Sequence, residues 1–187
     1  LSNDMYGRSV KPPQPDGLWR AVSMIGETFK PDTGDSIHRR SVYTFWKRAI
    51  PPPQMTILNS PIRDSCISRR ERTNTSTQAL LLLNETEYMK AARRLAAQAL
   101  ANKKLSDQAR LDFIYETVTS KLPDDVERKA LIKLLKDLEA TYQANGALAD
   151  KLCEGLELPD SGAKAKLSSW TVLVNTLYNL DITKTRE

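Results

Sequence analysis

The spacing of apolar residues changes once along the chain, near residue 72. From Gln78 onward apolar residues recur every three or four positions, which is the spacing of a helix that buries one side. Before that point the apolar runs are short, and eight of the ten prolines lie at or before Pro61. The pattern therefore predicts a loop-rich part, residues 1–72, followed by a helical part, residues 73–187.

Residues typical of helix ends separate the predicted helices of the second part. Thr73–Ser76 offer hydroxyl and amide groups that can cap a helix, and Ser106 or Asp107 can cap the next one. Asp124–Asp125 suit a positive helix N-terminus, and Asn145-Gly146 is typical of a helix end. The predicted helices run over about residues 76–99, 107–122, 125–144, 147–156 and 163–180.

The apolar side of each helix defines the expected core. The residues expected to face inward are Tyr88, Ala92, Leu95, Ala96 and Ala99; Leu111, Ile114, Tyr115 and Val118; Val126, Ala130, Leu131, Leu134, Leu135, Leu138 and Tyr142; and Trp170, Leu173, Val174 and Leu177. The expected fold is mainly α: a small antiparallel bundle of four to five helices, on which a Pro- and Arg-rich, loop-dominated N-terminal part packs. Both parts are predicted to form a single domain over residues 1–187.

One segment of the first part is a strand candidate. Ser41–Trp46 is rich in β-branched and aromatic residues, although a helix is also compatible with it. Pro51–Pro53 should end either element, because proline has no N–H group with which to continue a ladder.

The positive charge is concentrated before residue 76. Residues 1–75 hold 12 Lys and Arg against 7 Asp and Glu, whereas residues 76–187 hold 16 of each, so the net charge of +5 comes from the first part. Nine of those 12 cations are arginine, which suits forked contacts with carboxylates, sulfates or phosphates. The sequence has no dense basic stripe, zinc-finger motif or aromatic ribonucleoprotein motif, so nucleic-acid binding is not favoured. It also has no apolar run long enough to predict a membrane-spanning segment.

The primary candidate site consists of three arginines directly before the predicted helix at residue 76. Arg69, Arg70 and Arg72, with added donors from Asn74 and Thr75, would hold a sulfate, carboxylate or phosphate beside the free N–H groups of the helix start. In the alternative interpretation the threonines only cap the helix, and the arginines hold the preceding loops through carboxylates and backbone carbonyls. The sequence leaves both interpretations open.

Secondary candidates surround the single histidine. His38-Arg39-Arg40 and Tyr43 form this candidate, and arginines beside a histidine are expected to favour a neutral imidazole. If His38 is paired with Asp64 or Glu71, acid–base chemistry would follow. An unpartnered histidine in a loop is more often a surface or structural residue.

Aromatic residues of the same part could offer a platform for sugars or a peptide, although such residues more often anchor a loop-rich segment. These aromatic residues are Trp19, Tyr43, Phe45 and Trp46.

The two cysteines do not define a cofactor site. Cys66 and Cys153 lie far apart in sequence and could form one disulfide or remain two thiols. Together with His38 they do not supply four zinc ligands, and the C-x-x-C-H motif of covalent haem attachment is lacking. No metal and no cofactor is therefore predicted within this chain.

Four segments carry a family resemblance. They are YTFWKR-x-x-PPP-x-M (Tyr43–Met55), RRERTNT-x-x-QAL-x-LLN (Arg69–Asn84), Ser9–Trp19 and Ser168–Glu187. In their order along the chain they resemble the C-terminal domain of unknown function found in planctomycete cytochrome-type exported proteins. Two departures are Ser76, where the family usually has proline, and Gly7-Arg8, where it usually has two glycines.

The resemblance implies a domain architecture but no catalytic activity, because no catalytic residues are established for that family. It implies an exported protein, periplasmic or extracellular, in which a haem-binding cytochrome domain and a helical domain precede this one. The chain is then expected to lack the N-terminal portion of the family domain. The expected function is a non-catalytic accessory or interaction domain. Its expected partners are neighbouring domains, a companion protein, or an anionic small molecule or polysaccharide. The alternative is an extracellular hydrolase or polysaccharide-processing enzyme acting on acidic or sulfated substrates.

Overall fold

A computed structural model of the chain describes residues 2, 4–19, 28–62, 64–156, 158 and 160–185. Over these residues the chain forms eight α-helices, and isolated bridges are the only β structure there. The helices are α1 (Pro53–Ile57), α2 (Ser76–Asn84), α3 (Thr86–Ala101), α4 (Asp107–Thr119), α5 (Asp125–Ala144), α6 (Gly146–Leu152), α7 (Ser161–Tyr178) and α8 (Asp181–Lys184). The prediction of a mainly α fold with a helical bundle is confirmed.

The chain divides into two compact units, Leu1–Glu71 and Arg72–Glu187. The boundary lies one residue from the predicted change of texture at residue 72. The single-domain organisation, and the packing of the loop-rich part on the bundle, stay predictions.

Helix α7 lies at the centre of the second unit and packs against α2–α6 and α8. Its predicted inward side is confirmed, because Trp170, Leu173, Val174 and Leu177 have no exposed surface. Polar residues on its other sides are buried as well. The Thr171 hydroxyl donates to a backbone carbonyl one turn earlier at 2.7 Å, so a hydroxyl can be buried there without losing its hydrogen bond. From Leu167 onward the helix is therefore enclosed on all sides rather than amphipathic.

Helices α3 and α4 cover α7 with different side chains. Ala92, Ala96 and Ala99 of α3 are buried, and their small size allows the α3 and α7 backbones to lie close together. The α4 residues that join the same core, all within the predicted set, are Leu111, Ile114, Tyr115 and Val118.

The prediction of one helix over residues 76–99 is wrong in one respect, because the structure has two helices there, α2 and α3. Glu85 has extended backbone angles, φ −74° and ψ 132°, and separates α2 from α3. Its carboxylate accepts hydrogen bonds from the N–H groups of Glu87 at 2.8 Å and Tyr88 at 3.2 Å. The Asn84 amide donates to the Leu80 carbonyl at 2.8 Å at the end of α2. Side chains thus satisfy the helix ends that the break exposes.

The predicted inward side of α5 is wrong at its first turns. Val126 is 77% exposed and Ala130 is also exposed, so the inward side begins at Leu131. The neighbouring residue Glu127 is directed to α4, where its carboxylate accepts a hydrogen bond from the Tyr115 hydroxyl. Because adjacent helical residues point about 100° apart, this orientation turns Val126 toward solvent.

The strand predicted at Ser41–Trp46 is also wrong. Ser41–Tyr43 form a short 3-10 helix, and only Thr44 forms a bridge, with Val10. The Val10 N–H donates to the Tyr43 carbonyl at 2.8 Å, and the Phe45 N–H donates to the Val10 carbonyl at 2.7 Å. Among the described residues, the segment after Tyr43 pairs with Val10 at this one bridge and does not form a longer β-ladder, because the 3-10 turn bends the chain away.

Candidate functional site

The three arginines of the primary candidate site are exposed on irregular backbone. Arg69 and Arg70 lie at the end of the first unit, and Arg72 begins the second. Among the described residues, no hydrogen bond or ion pair involves their guanidinium groups. Their donors are therefore available to solvent or to a ligand, as the anion-binding hypothesis requires. The interpretation that they hold the preceding loops finds no contact to support it in the described part of the chain.

Thr75 is the N-cap of α2. Its hydroxyl accepts a hydrogen bond from the Gln78 N–H at 3.3 Å, and the Gln78 side-chain carbonyl accepts from the Thr75 N–H at 3.2 Å. The Gln78 side-chain amide then donates to the Thr73 hydroxyl at 2.7 Å. This reciprocal arrangement is a capping box, which stabilises a helix start. The predicted cap at Thr73–Ser76 is confirmed, and its polar groups are used within the second unit.

Asn74 is bound to α8. Its amide nitrogen donates to the Asp181 carboxylate at 2.9 Å, and its amide oxygen accepts a hydrogen bond from the Lys184 ammonium. The structure thus brings Asn74 and Thr75 together at the start of α2, where Thr75 caps the helix and Asn74 holds the C-terminal helix. Their proposed donation to an anion stays a prediction.

The secondary candidates lie in the first unit with other partners. The His38 carbonyl accepts a hydrogen bond from the Ser2 N–H at 2.8 Å, and the Arg40 carbonyl accepts from the Tyr43 N–H at 2.9 Å. Asp64 lies 3.5 Å from Arg48 in an exposed ion pair, an interaction that contributes little to stability. In the part of the chain that the structure describes, no contact joins His38 to Asp64.

Arg39, which lies between the secondary candidates His38 and Arg40, organises the N-terminal segment. Its guanidinium group donates to the carbonyls of Arg8 at 2.8 Å, Asp4 at 3.3 Å and Tyr6. It also lies over the Tyr43 ring, with 3.8 Å between the guanidinium carbon and the ring centroid. The Tyr43 hydroxyl accepts from the Tyr6 N–H at 2.8 Å. Arg39 and Tyr43 therefore form a structural clamp on residues 4–8.

Trp19 lies in an aromatic cluster of the first unit. Its ring stacks on Phe29 with 5.0 Å between centroids, and the Phe45 centroid lies at 6.1 Å. The Lys47 ammonium lies 4.5 Å from the Trp19 ring centroid, and the indole N–H donates to Gln14 at 3.0 Å. Because Trp19 is only 9% exposed, it anchors this unit rather than presenting an open face to a sugar.

The two cysteines are free thiols, with Cys66 exposed and Cys153 buried. The Cys153 sulfur lies 3.4 Å from the Ser168 hydroxyl between α6 and α7. Over the described residues, no three His, Cys, Asp or Glu side chains are grouped as a metal site would require. Likewise, none of the helices that the structure describes has the length and apolar character needed to cross a membrane.

The most perturbed ionisable group lies in the core rather than near the candidate sites. Burial and the hydrogen bond that Tyr115 donates to Glu127 at 2.7 Å raise the pKa of Tyr115 to about 12. Burial also raises the pKa of Tyr88 and of Tyr178. These tyrosines belong to the bundle, so their shifted pKa values are structural.

Comparison with known proteins identifies the family. Residues 1–135 match the family described as PSD1, proteins of unknown function (DUF1553). No curated protein and no solved structure shows a match. The matched residues cover the first unit and continue to the middle of α5, which is more than half of the chain. The chain therefore belongs to the PSD1 family of proteins of unknown function (DUF1553).

Proposed function

We propose that this chain is a non-catalytic accessory or interaction domain of an exported, cytochrome-associated planctomycete protein. In this proposal its exposed arginines contact an anionic group of a neighbouring domain, a companion protein or a polysaccharide. Any haem would belong to another domain of the full-length protein. The observation that carries the proposal is the exposure of Arg69, Arg70 and Arg72, whose guanidinium groups have no acceptor among the described residues.

Other arginines of the second unit show the contrast. Arg93 donates to the carbonyls of Leu152 at 3.1 Å and Glu154 at 3.2 Å. Arg128 lies 3.1 Å from the carboxylates of both Asp112 and Asp125. These two arginines of the bundle thus have protein acceptors.

Guanidinium groups without acceptors are suited to a ligand. A guanidinium fork can bind a sulfate, carboxylate or phosphate through two parallel hydrogen bonds. Because these side chains are exposed, each contact should be weak and sensitive to salt. The interaction should therefore depend on several arginines acting together. The contacts described for His38 and Asp64 offer nothing that favours the hydrolase alternative.

Sulfate is expected to raise the melting temperature of the wild-type chain more than chloride does at matched ionic strength. A sulfate concentration about five times the dissociation constant would add about 1 kcal/mol of stability. The triple variant R69Q/R70Q/R72Q should lose this difference, as measured by thermal unfolding followed by circular dichroism.

A charge-matched variant separates specific binding from general salt effects, because sulfate also stabilises proteins by exclusion from their surface. K129Q/K133Q/K136Q removes the same number of cations from exposed positions of α5. It should keep the sulfate response of the wild type. An equal response in the wild type and both variants would contradict an anion site at the arginines.

Fractionation of cells that make the full-length protein tests its location. The protein is expected in the periplasmic or extracellular fraction, and haem should remain covalently attached after denaturation. Immunoblotting with an antibody against this chain, combined with haem staining of the same gel, makes the measurement. Recovery of the protein in the cytoplasmic fraction without haem would contradict the exported, cytochrome-associated role.

A further inference from the structure

Adjacent pairs of basic residues are potential recognition sites for endoproteases. The chain contains six such pairs: Arg39-Arg40, Lys47-Arg48, Arg69-Arg70, Arg93-Arg94, Lys103-Lys104 and Arg128-Lys129. A protease must hold several residues around the scissile bond, so the backbone there needs to be exposed and free of hydrogen bonds. Two of the pairs lie within α3 and α5, where the helical backbone prevents this.

Two further pairs lie in the irregular part of the first unit but are held by their surroundings. Arg39 donates to three backbone carbonyls, and the Arg40 carbonyl accepts the Tyr43 N–H at 2.9 Å. In the next pair, the Lys47 carbonyl accepts the Ile50 N–H at 3.0 Å, which closes a turn. Neither pair can extend without breaking these contacts.

Lys103-Lys104 is exposed but lies in a closed turn between α3 and α4. The Lys104 N–H donates to the Asn102 side chain at 3.1 Å, and the Leu105 N–H donates to the Asn102 carbonyl at 3.3 Å. The Arg110 guanidinium group donates to that same carbonyl at 3.0 Å. This pair therefore matches Arg69-Arg70 in exposure and differs from it in backbone constraint.

Arg69-Arg70 is the pair that meets both requirements. Residues 64–72 are exposed, and no backbone–backbone hydrogen bond involves them in the described part of the chain. The contact nearest to the pair is a hydrogen bond from the Asn59 amide to the Glu71 carbonyl at 3.4 Å. Both arginine side chains are without partners among the described residues, so either can enter an acidic specificity pocket.

We propose that Arg69-Arg70 is a cleavage site for an arginine-specific endoprotease of trypsin-like specificity. Cleavage adds one water molecule across the peptide bond that follows Arg69 or Arg70. The products are a carboxylate on that arginine and a new α-amino group on the next residue. The bond after Arg72 is protected, because Thr73 accepts the Gln78 amide and belongs to the capping network of α2.

Brief trypsin digestion of the intact chain, followed by mass measurement of the fragments, tests the proposal. The first cut should follow Arg69 or Arg70 and give two fragments that divide the chain there. R69Q/R70Q should slow the first cut at least about tenfold, because the other basic pairs of the described residues lie in helices or closed turns and must open locally before cleavage. A first cut after any other residue, or an unchanged rate in R69Q/R70Q, would overturn the proposal.

Two controls make the result specific. K103Q/K104Q removes an exposed pair in a closed turn, and its rate of first cleavage should equal that of the wild type. A lysine-specific endoprotease should cut the wild-type chain at least about tenfold more slowly than trypsin, because each lysine of the six basic pairs lies in a helix or a closed turn. A fast cut by the lysine-specific enzyme at Lys103 or Lys104 would show that exposure alone is sufficient for cleavage, and this would contradict the proposal. Matching circular dichroism spectra of the uncut variants verify that both fold.

Discussion

Replacing Trp170 with alanine is expected to lower the free energy of unfolding of the second unit by about 3–5 kcal/mol. Trp170 has no exposed surface and lies in α7, the helix against which the rest of the bundle packs. Removal of the indole loses its transfer free energy and leaves a cavity, because the surrounding helices can close only part of the space. Urea unfolding followed by far-ultraviolet circular dichroism measures the change, since most helical residues belong to this unit.

Two further variants establish that the cost arises from burial. W170F keeps most of the volume and removes an indole N–H that has no acceptor among the described residues, so it should cost less than about 2 kcal/mol. V126A changes a residue that is 77% exposed and should alter the free energy of unfolding by less than about 0.5 kcal/mol. A loss below about 1 kcal/mol in W170A would contradict the central position of α7.

Helix starts could be predicted because a cap is a local interaction. Of the two predicted alternatives Ser106 and Asp107, Ser106 is the cap of α4. Asp124, predicted with Asp125 at the start of the next helix, caps α5. Each cap accepts a hydrogen bond from an N–H group three residues later. The break at Glu85 is equally local, yet it was missed because apolar residues continue through it at helical spacing. The run Asn84-Glu85-Thr86 did hold a signal, since all three side chains can bind backbone groups at helix ends.

The direction of a helix face could be predicted where packing against the core determines it. In α7 the apolar periodicity identified the core correctly, because six helices cover it. At the start of α5 the periodicity favoured Val126, but the hydrogen bond between Glu127 and Tyr115 determines the rotation. That hydrogen bond joins two helices, and nothing in the spacing of apolar residues indicates it.

The candidate site was located by composition, but its contacts were not predictable. The sequence identified the arginines, whose exposure the structure describes, and it identified the capping residues of α2. It could not indicate that Asn74 binds Asp181, which is 107 residues away. Nor could it distinguish Arg39 from the other arginines of the first part. The partners of Arg39 are backbone carbonyls 31 to 35 residues earlier. Because every residue has a backbone carbonyl, the residue types of these partners do not indicate in the sequence that Arg39 binds them.

Replacing Glu127 with alanine is expected to lower the free energy of unfolding by about 2–4 kcal/mol, because two interactions are lost at once. One carboxylate oxygen accepts the Asp124 N–H at 2.9 Å and completes the capping box of α5. The other accepts the Tyr115 hydroxyl at 2.7 Å and joins α5 to α4. Loss of the second interaction leaves a buried hydroxyl without its acceptor, which costs more than the hydrogen bond itself contributes.

A double-mutant cycle with Y115F separates the two interactions. Y115F/E127A should cost about 1 kcal/mol less than the sum of the single variants, because the phenylalanine ring leaves no unsatisfied hydroxyl. The exposed residue Glu116 supplies a control, since E116A should change the free energy of unfolding by less than about 0.5 kcal/mol. Additive costs in the cycle would contradict a direct contact between Tyr115 and Glu127.

The same contact predicts how stability depends on alkaline pH. The pKa of Tyr115 is about 12 in the folded chain and about 10 when the side chain is free, so the unfolded chain releases this proton first. The stabilisation that comes from Tyr115 is therefore complete below pH 10 and is lost as the pH rises from about 10 to about 12. Urea unfolding at a series of pH values should show a steeper loss of stability over this range in the wild type than in Y115F. Identical slopes would contradict the raised pKa, and with it the buried hydrogen bond that joins α4 to α5.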